Sequence, residues 1–309
     1  DVDAERLEVV GEFARRMAQA KDSSFSVVLS QDRKEALRNA SYVITQFRVG
    51  QMEARREDEY LGKRHGLVGQ ETTGIGGMAK ALRTIPVILD IANDIQAVAP
   101  KALLVNFTNP SGLVTEALFR YAPQVRAVGL CNATIGMKME IVDRLNERLD
   151  LNIDPDEAQI KVLGLNHLTW FYGFEVNGQD YWPQIMNWMI DEMKQDKDPY
   201  FDPDTLQVLQ MIPNSYLRYY YYTDRMIKKQ SHWPPSRAEE VMKIEAELLE
   251  KYRDPSRTEP PEALMQRGGA YYSTVAAQLI NAHYNNLDEV HVVNTRNVGA
   301  VPGWDNDWV

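Results

Sequence analysis

The chain has 309 residues, 44% of them hydrophobic and 25% charged, with a formal net charge of −10 and a pI near 5.1. That composition is ordinary for a soluble globular protein, and its excess of carboxylates argues against nucleic acid as a general partner. No apolar run approaches the roughly 18 residues of a membrane span, the opening residues carry no signal-peptide pattern, and a lone cysteine, Cys131, cannot form an internal disulfide; together these predict a cytoplasmic protein with no membrane partner.

The first segment, "DVDAERLEVVGEFARRMAQAK", repeats its apolar positions Leu7, Val10, Phe13, Ala14 and Met17 at helical spacing. "FSVVL" then reads as a strand, "DRKEALRNA" as a short helix and "SYVITQF" as a second strand. A helix through "EARREDEYLGKRHG" leads to a Gly-rich turn, "GQETTGIGG", and to the helical stretch "MAKALRTIPVILDIANDIQAVAP", which Pro86 should kink or divide. After it come the strand "ALLVNF", the helix "SGLVTEALFRYA", the strand "VRAVGL" and the helix "IGMKMEIVDRLNERL". Strands alternating with helices predict a parallel, doubly wound sheet of the Rossmann type.

Past residue 150 the pattern changes. "QIKVLGLNHLTWFYGFEVNGQDYW" predicts paired strands turning at Asn177-Gly178, and the remainder is mainly helical, including "RAEEVMKIEAELLEKYRD" and "YYSTVAAQLINAHYN". The expected division is a Rossmann-like domain over 1–163 and a second, α+β domain over 164–309. The opening "DVD" runs straight into a helix, without the strand and glycine turn that begin a dinucleotide fold, and "NVGAVPGWDNDWV" closes no element. The expectation is therefore a fragment with an incomplete cofactor site, binding NAD poorly.

In an open parallel sheet, ligands gather at the carboxyl ends of the strands. "ALLVNFTNP" delivers Asn106 and Asn109 to such an end, "VRAVGLCN" delivers Cys131 and Asn132, and "KVLGLNH" delivers Asn166 and His167. A thiolate and a neutral imidazole both ligate divalent transition metals. Taken singly, Cys131 reads as a small buried apolar side chain and His167 as a structural histidine; their common place at strand ends brings a metal into view without displacing that reading. "GQETTGIGG" fits neither a P-loop nor a dinucleotide fingerprint, so it is a surface turn unless it brings Glu71 into a site. The tyrosines of "IPNSYLRYYYYTDRM" are an aromatic stripe from which one could act as a general base. "PPSRAEEVM" holds the capping box Ser236 and Glu239, which puts Arg237 in a first helical turn, where a phosphate could sit.

In order along nearly the whole chain, "QFRVGQMEAR", "GQETTGIGGMAKALRTIPV", "NFTNPSGLVTEA", "GLCNATIGM", "GLNH", "IPNSYLRYYY", "SRAEEVM" and "NTRNVGA" resemble glycoside hydrolase family 4. This NAD-dependent family departs from the usual two-carboxylate mechanism. The resemblance implies a second domain like the C-terminal domain of lactate and malate dehydrogenases. It implies Cys131 and His167 as ligands of a divalent metal, Mn2+ by preference, with Tyr216 as catalytic base and Glu71 as the carboxylate that raises its basicity. Arg55, Asn109, Asn166 and Arg237 would hold the sugar and its phosphate, while Asp1 and Asn106 would stand on the NAD side. Asn132 takes the place of an aspartate acid found in members acting on α-linked substrates, and "GLCN" resembles the branch that cleaves 6-phospho-β-glucosides.

The implied reaction is oxidation at C3, loss of the C2 proton, elimination of the aglycone from C1, addition of water and return of the hydride. Its partner is a small 6-phosphoglycoside, and the implied assembly a homodimer or homotetramer. A 6-phospho-α-glucosidase, a hydroxy-acid dehydrogenase and an inactive sugar-phosphate-binding fragment are the competing readings.

Overall fold

The computed structural model describes residues 1–309. Three parallel strands form the first sheet in the order β1 (Tyr42–Thr45), β2 (Leu103–Asn106), β3 (Arg126–Gly129), in register from Tyr42 opposite Leu103 to Asn106 opposite Gly129. All four residues of the middle strand are buried, as a strand covered on both faces must be. Side chains alternate across it. Leu104 packs with Ile88, Ala92, Ile95, Val114 and Leu118 from the helices Gly74–Val98 and Ser111–Tyr121. Leu103 and Val105 face the other way, onto Phe107, Leu130, Ala276 and Leu279, so the helix Tyr272–Asn285 covers the second face. The strand order and the helices on both faces are those of a doubly wound sheet. Asn294 of "NTRNVGA" adds an antiparallel bridge to Gly129, exchanging hydrogen bonds of 2.9 and 2.7 Å.

The second sheet is built on β5 (Trp170–Val176), which pairs antiparallel with β4 (Ala158–Leu163), β6 (Gln179–Asp180) and β7 (Ile212–Pro213). The β5–β6 hairpin turns at Asn177 (φ 50°) and Gly178 (φ 81°), the two left-handed residues that a tight hairpin needs. Behind this sheet a separate core gathers Phe171, Phe174, Trp182, Ile185, Met186 and Leu206. The helix Ala133–Leu149 gives Ile141, Val142 and Leu145 to that second core, although it follows directly on the parallel sheet. It thereby ties the end of β3 to the antiparallel half.

Helix starts follow local chemistry. Asp3 and Asp32 accept the amides of Arg6 and Glu35 at 3.0 and 3.1 Å, and Ser236 with Glu239 forms the expected capping box for Arg237–Arg253. Two expectations are corrected. Phe25–Leu29 is not a strand: no neighbour pairs with it, and Phe25 and Val28 stand 64% and 81% exposed. A β-branched run becomes a strand only by pairing; this one instead lies along the helix Ala4–Ala20, where Leu29 meets Gly11 and the Val27 carbonyl accepts Arg15 Nε at 3.0 Å. Nor does Pro86 divide its helix, which runs unbroken from Gly74 to Val98. The carbonyl that Pro86 frees belongs to Leu82, on an outward turn where water can take it (Leu82 is 68% exposed).

Candidate active site

The carboxyl ends of β2 and β3 and the turn before β5 meet at one cavity of about 320 Å³. Asn109, Cys131, Asn132, His167, Asn214, Tyr216 and Tyr272 stand on its wall. Cys131 lies just beyond β3, where the helix Ala133–Leu149 begins, and the backbone amides of Ala133 and Asn132 favour its thiolate. Burial outweighs them and pushes the thiol up. His167 sits in the β4–β5 turn at φ 64°, a left-handed conformation that is uncommon for histidine and that points to a position held by its surroundings. Its Nε2 is 3.5 Å from Cys131 Sγ. Burial lowers the imidazole to about 4, with Glu71 opposing and Lys80 assisting, so the ring is neutral and its lone pair free at neutral pH.

These two side chains fit a metal. An ion bound through sulfur and nitrogen at about 2.3 and 2.1 Å with a tetrahedral angle would hold the two donors roughly 3.6 Å apart. No group of three or more Cys, His, Asp or Glu side chains comes together to hold an ion. The pair therefore supplies two ligands and leaves the other positions to oxygens from outside the chain, the open arrangement of catalytic ions.

Tyr216 lies flat on His167, with ring planes parallel and centroids 3.9 Å apart. It stands on the one-turn 3-10 helix Ser215–Leu217 that follows β7. Burial, then the charge of a Cys131 thiolate and of Glu71, holds its phenol well above the ordinary range, while the Thr72 hydroxyl opposes. Tyr272 is pushed up to about 12 by burial, with Cys131 and Glu71 adding to it.

Glu71 stands behind this wall. Lys80 Nζ approaches its Oε2 at 2.6 Å and Arg55 Nη1 its Oε1 at 3.1 Å, and Arg48 also donates to Oε2. Burial would raise the carboxyl, but Lys80, Arg55 and Arg48 together hold it well below the usual carboxylate range. The same burial brings Lys80 down to about 8 despite its bond to Glu71. Arg55 is shared between two carboxylates, since its Nε donates to Glu59 at 2.9 Å.

The remaining expected residues are placed as follows. Asn132 lines the cavity and donates through Nδ2 to the Ala270 carbonyl at 2.9 Å. Asn109 lines it too, its Oδ1 accepting the Ser111 amide at 3.2 Å. Asn166 is half-buried beside His167 but is not on the cavity wall. Asn106 is fully buried and its amide is spent internally: Oδ1 accepts the Thr45 hydroxyl and the Thr108 amide at 3.0 Å each, and Nδ2 donates to the Thr108 carbonyl at 3.2 Å. It shapes the strand end, and its side chain is held within the chain. Asp1 is exposed, accepts the Asp3 amide at 3.1 Å and lies 3.9 Å from Arg6 Nε. Arg237 is not on the cavity wall; it is bonded to Glu240 at 3.0 Å and to the Gln266 carbonyl at 2.7 Å. Sequence reasoning passed over Arg48, Lys80, Asn214 and Glu59. Arg48 follows the carboxyl end of β1, so the strand-end rule could have found it; Lys80 is the buried face of a helix and carries no local signal.

Comparison with known proteins gives the family. Residues 1–147 match the model of the family 4 glycosyl hydrolases, and residues 162–309 match that of the family 4 glycosyl hydrolase C-terminal domain. A probable 6-phospho-beta-glucosidase of Bacillus subtilis is 42% identical over 98% of this chain and 69% of its own length. A 6-phospho-beta-glucosidase of Escherichia coli is 37% identical over 98% of this chain and 68% of its own. The 6-phospho-beta glucosidase of Thermotoga maritima, solved with manganese, NAD+ and glucose-6-phosphate, superposes with a TM-score of 0.88 at 37% identity, over 100% of this chain and 71% of that one. Its two halves and its sequence together make this chain a member of family 4 of the glycosyl hydrolases.

Proposed function

We propose that the protein hydrolyses 6-phospho-β-glucosides with NAD and a divalent metal ion, Mn2+ by preference. The observation that carries the reading is the Cys131–His167 donor pair at 3.5 Å with the Tyr216 ring stacked on its histidine. The relatives named above as 6-phospho-β-glucosidases supply the substrate class, and Asn132 supports the β-branch, because an amide has no acidic proton to give a leaving group.

Cys131 and His167 would hold the ion. When bound, NAD and the ion would supply transient oxidation at C3 and Lewis acidity at the neighbouring oxygens, which together acidify the C2 proton. Tyr216 takes that proton. In the chain alone burial and neighbouring negative charge keep the phenol protonated; a cation held by Cys131 and His167 would favour the phenolate that acts as base. The aglycone departs from C1 and takes a proton from solvent, water adds at C1 and releases one, Tyr216 returns a proton to C2, and return of the hydride to C3 would complete hydrolysis. Asn109 on the wall and Arg55 behind it are the proposed sugar and phosphate contacts, with Asn166 beside them; Arg237 joins them on exchanging its Glu240 and Gln266 contacts for phosphate. The dinucleotide is proposed along the same strand ends, with Asp1 toward its ribose. We assign residues 1–163 to the cofactor and 164–309 to substrate, metal and assembly as a homodimer or homotetramer, with Arg55, Asn109 and Cys131 reaching the shared site from the first. A cytoplasmic setting suits the free thiol that the ion requires.

The test is hydrolysis of chromogenic 6-phospho-β- and 6-phospho-α-glucosides, with NAD and Mn2+, in deuterated water. Turnover of the β-anomer with deuterium at C2 of the product is expected. Product without deuterium rules out the elimination route, preference for the α-anomer moves the chain to the other branch, and net NADH formation would mark a dehydrogenase.

A further inference from the structure

Tyr216 and His167 come from separate pieces of chain, each with little regular structure to fix it. His167 is in a turn closed by the Leu168 amide on the Leu165 carbonyl at 2.8 Å, and Tyr216 is in a three-residue 3-10 turn. Their rings nevertheless stack in parallel. The pairing of β5 with β7 brings the two pieces side by side, and one side chain carries that junction on to the Tyr216 turn. Asn214, 3% exposed, follows β7, and its backbone amide donates to the Thr169 carbonyl at 2.9 Å. Its Nδ2 donates to Thr169 Oγ1 at 3.0 Å, and its Oδ1 accepts the Tyr216 amide at 3.1 Å. The amide's orientation is dictated by its neighbours. The Tyr216 N–H can only donate, so it must face oxygen, and the nitrogen is left for the Thr169 hydroxyl. Thr169 is 7% exposed and lies two residues past His167, at the start of β5.

We infer that Asn214 is a positioning residue for the reaction, clamping the turn that carries Tyr216 to the strand end that carries His167. The inference rests on the roles proposed for Tyr216 and His167. Asn214 also stands on the cavity wall, but both ends of its amide are already bound within the chain, so it acts through the two rings. A side chain that fixes a base relative to a metal ligand matters to turnover more than to ground-state binding, because reacting groups tolerate misplacement of less than about 1 Å.

The experiment compares Asn214→Ala, Thr169→Val, their double variant and Thr169→Ser in the protein loaded with NAD and Mn2+. In parallel, Mn2+ affinity is read by electron paramagnetic resonance of the free ion. Asn214→Ala should lower kcat by about 10- to 100-fold and weaken Mn2+ by roughly tenfold, with KM changed less than about threefold. Thr169→Val breaks the same bond from its other end. It should give part of both losses, and the double variant should fall short of the sum. Thr169→Ser keeps the hydroxyl and should restore both readouts. If Asn214→Ala does not fold, Thr169→Val against Thr169→Ser carries the comparison. Unchanged kcat and Mn2+ affinity in folded variants, or strictly additive effects, would overturn the inference. Tyr216→Phe and His167→Ala run beside them separate the two failures. If Tyr216→Phe keeps turnover and His167→Ala keeps ion binding, the assignment of the site falls and the clamp with it; if the first loses turnover and the second loses the ion while the Asn214 and Thr169 variants lose neither, the clamp alone falls.

Discussion

The His167 imidazole and the Tyr216 phenol lie face to face, planes parallel and centroids 3.9 Å apart, so the proposed base shares a wall with a proposed metal ligand. The ring of Tyr216 provides that packing and its hydroxyl provides the chemistry. Tyr216→Phe should therefore keep the stack, the Mn2+ affinity and KM within about threefold, yet lower kcat by at least about 100-fold. Exchange of the substrate C2 proton with deuterated solvent, followed by NMR, should stop as well. Exchange at the wild-type rate in this variant would remove Tyr216 from the role of base.

Cys131 separates ligation from folding in a similar way. Its sulfur has a side-chain partner in His167 and is otherwise met by backbone amides at a helix start. Cys131→Ser keeps the size and removes the soft donor. Thermal unfolding without metal should shift by less than a few degrees, while Mn2+ affinity falls by at least about tenfold and turnover falls with it at fixed metal. Wild-type Mn2+ affinity in Cys131→Ser would exclude the thiolate as a ligand.

Glu71 is the buried anion among Arg48, Arg55 and Lys80, and its stability effect has a definite sign in pH. Its carboxyl titrates near 4.5 in an unfolded chain and lower when folded. Between the two values the unfolded chain binds more protons, so the contribution is complete above about pH 5 and is lost as pH falls toward the folded value. Glu71→Gln leaves three buried or half-buried cations facing one another and should cost about 3 kcal/mol at neutral pH. The gap to wild type in urea unfolding should narrow steadily below about pH 4.5. A gap that stays constant down to about pH 3.5 would mean that Glu71 is not held ionised by these cations.

The parts of the site that follow from strand ends were legible in the residues. Cys131, Asn109 and His167 come after apolar runs that are strands, whereas Tyr216 is told from the other tyrosines of its stripe only by the family resemblance. Direction was not legible. Asn106 and Asn109 sit three residues apart at one strand end, yet the first is turned wholly inward to Thr45 and Thr108 and the second faces the cavity. Arg237 was placed rightly at a helix start, but Glu240 lies three residues on and competes for its guanidinium, a neighbour relation any helix creates. Phe25–Leu29 has the composition of a strand and no partner, because pairing is a property of the whole fold. Glu71 and Lys80 lie in one quoted stretch and Arg48 in another, but neither stretch says that their side chains meet, so only their contact reveals the cluster.

Glu59 extends that cluster to the helix Arg237–Arg253 and gives the last prediction. It is 2% exposed; Oε1 accepts Arg55 Nε at 2.9 Å and Oε2 accepts the Ala238 amide at 2.9 Å. Both partners are donors, and a carboxylate has an oxygen for each. In Glu59→Gln one of the two donors must face an NH2 group, whichever way the amide turns, and Arg55 also loses a counter-charge. The expected loss is about 2–4 kcal/mol of stability in urea unfolding. Glu239→Gln on the nearby capping box should lose distinctly less, because its carboxylate is close to solvent and an amide oxygen can still take the Ser236 amide at its 2.6 Å position. Arg55 would then lean wholly on Glu71, so KM for the phosphorylated substrate should rise in Glu59→Gln and stay unchanged in Glu239→Gln. Equal stability losses in the two variants, with KM unmoved in both, would show that Glu59 serves neither the helix start nor Arg55.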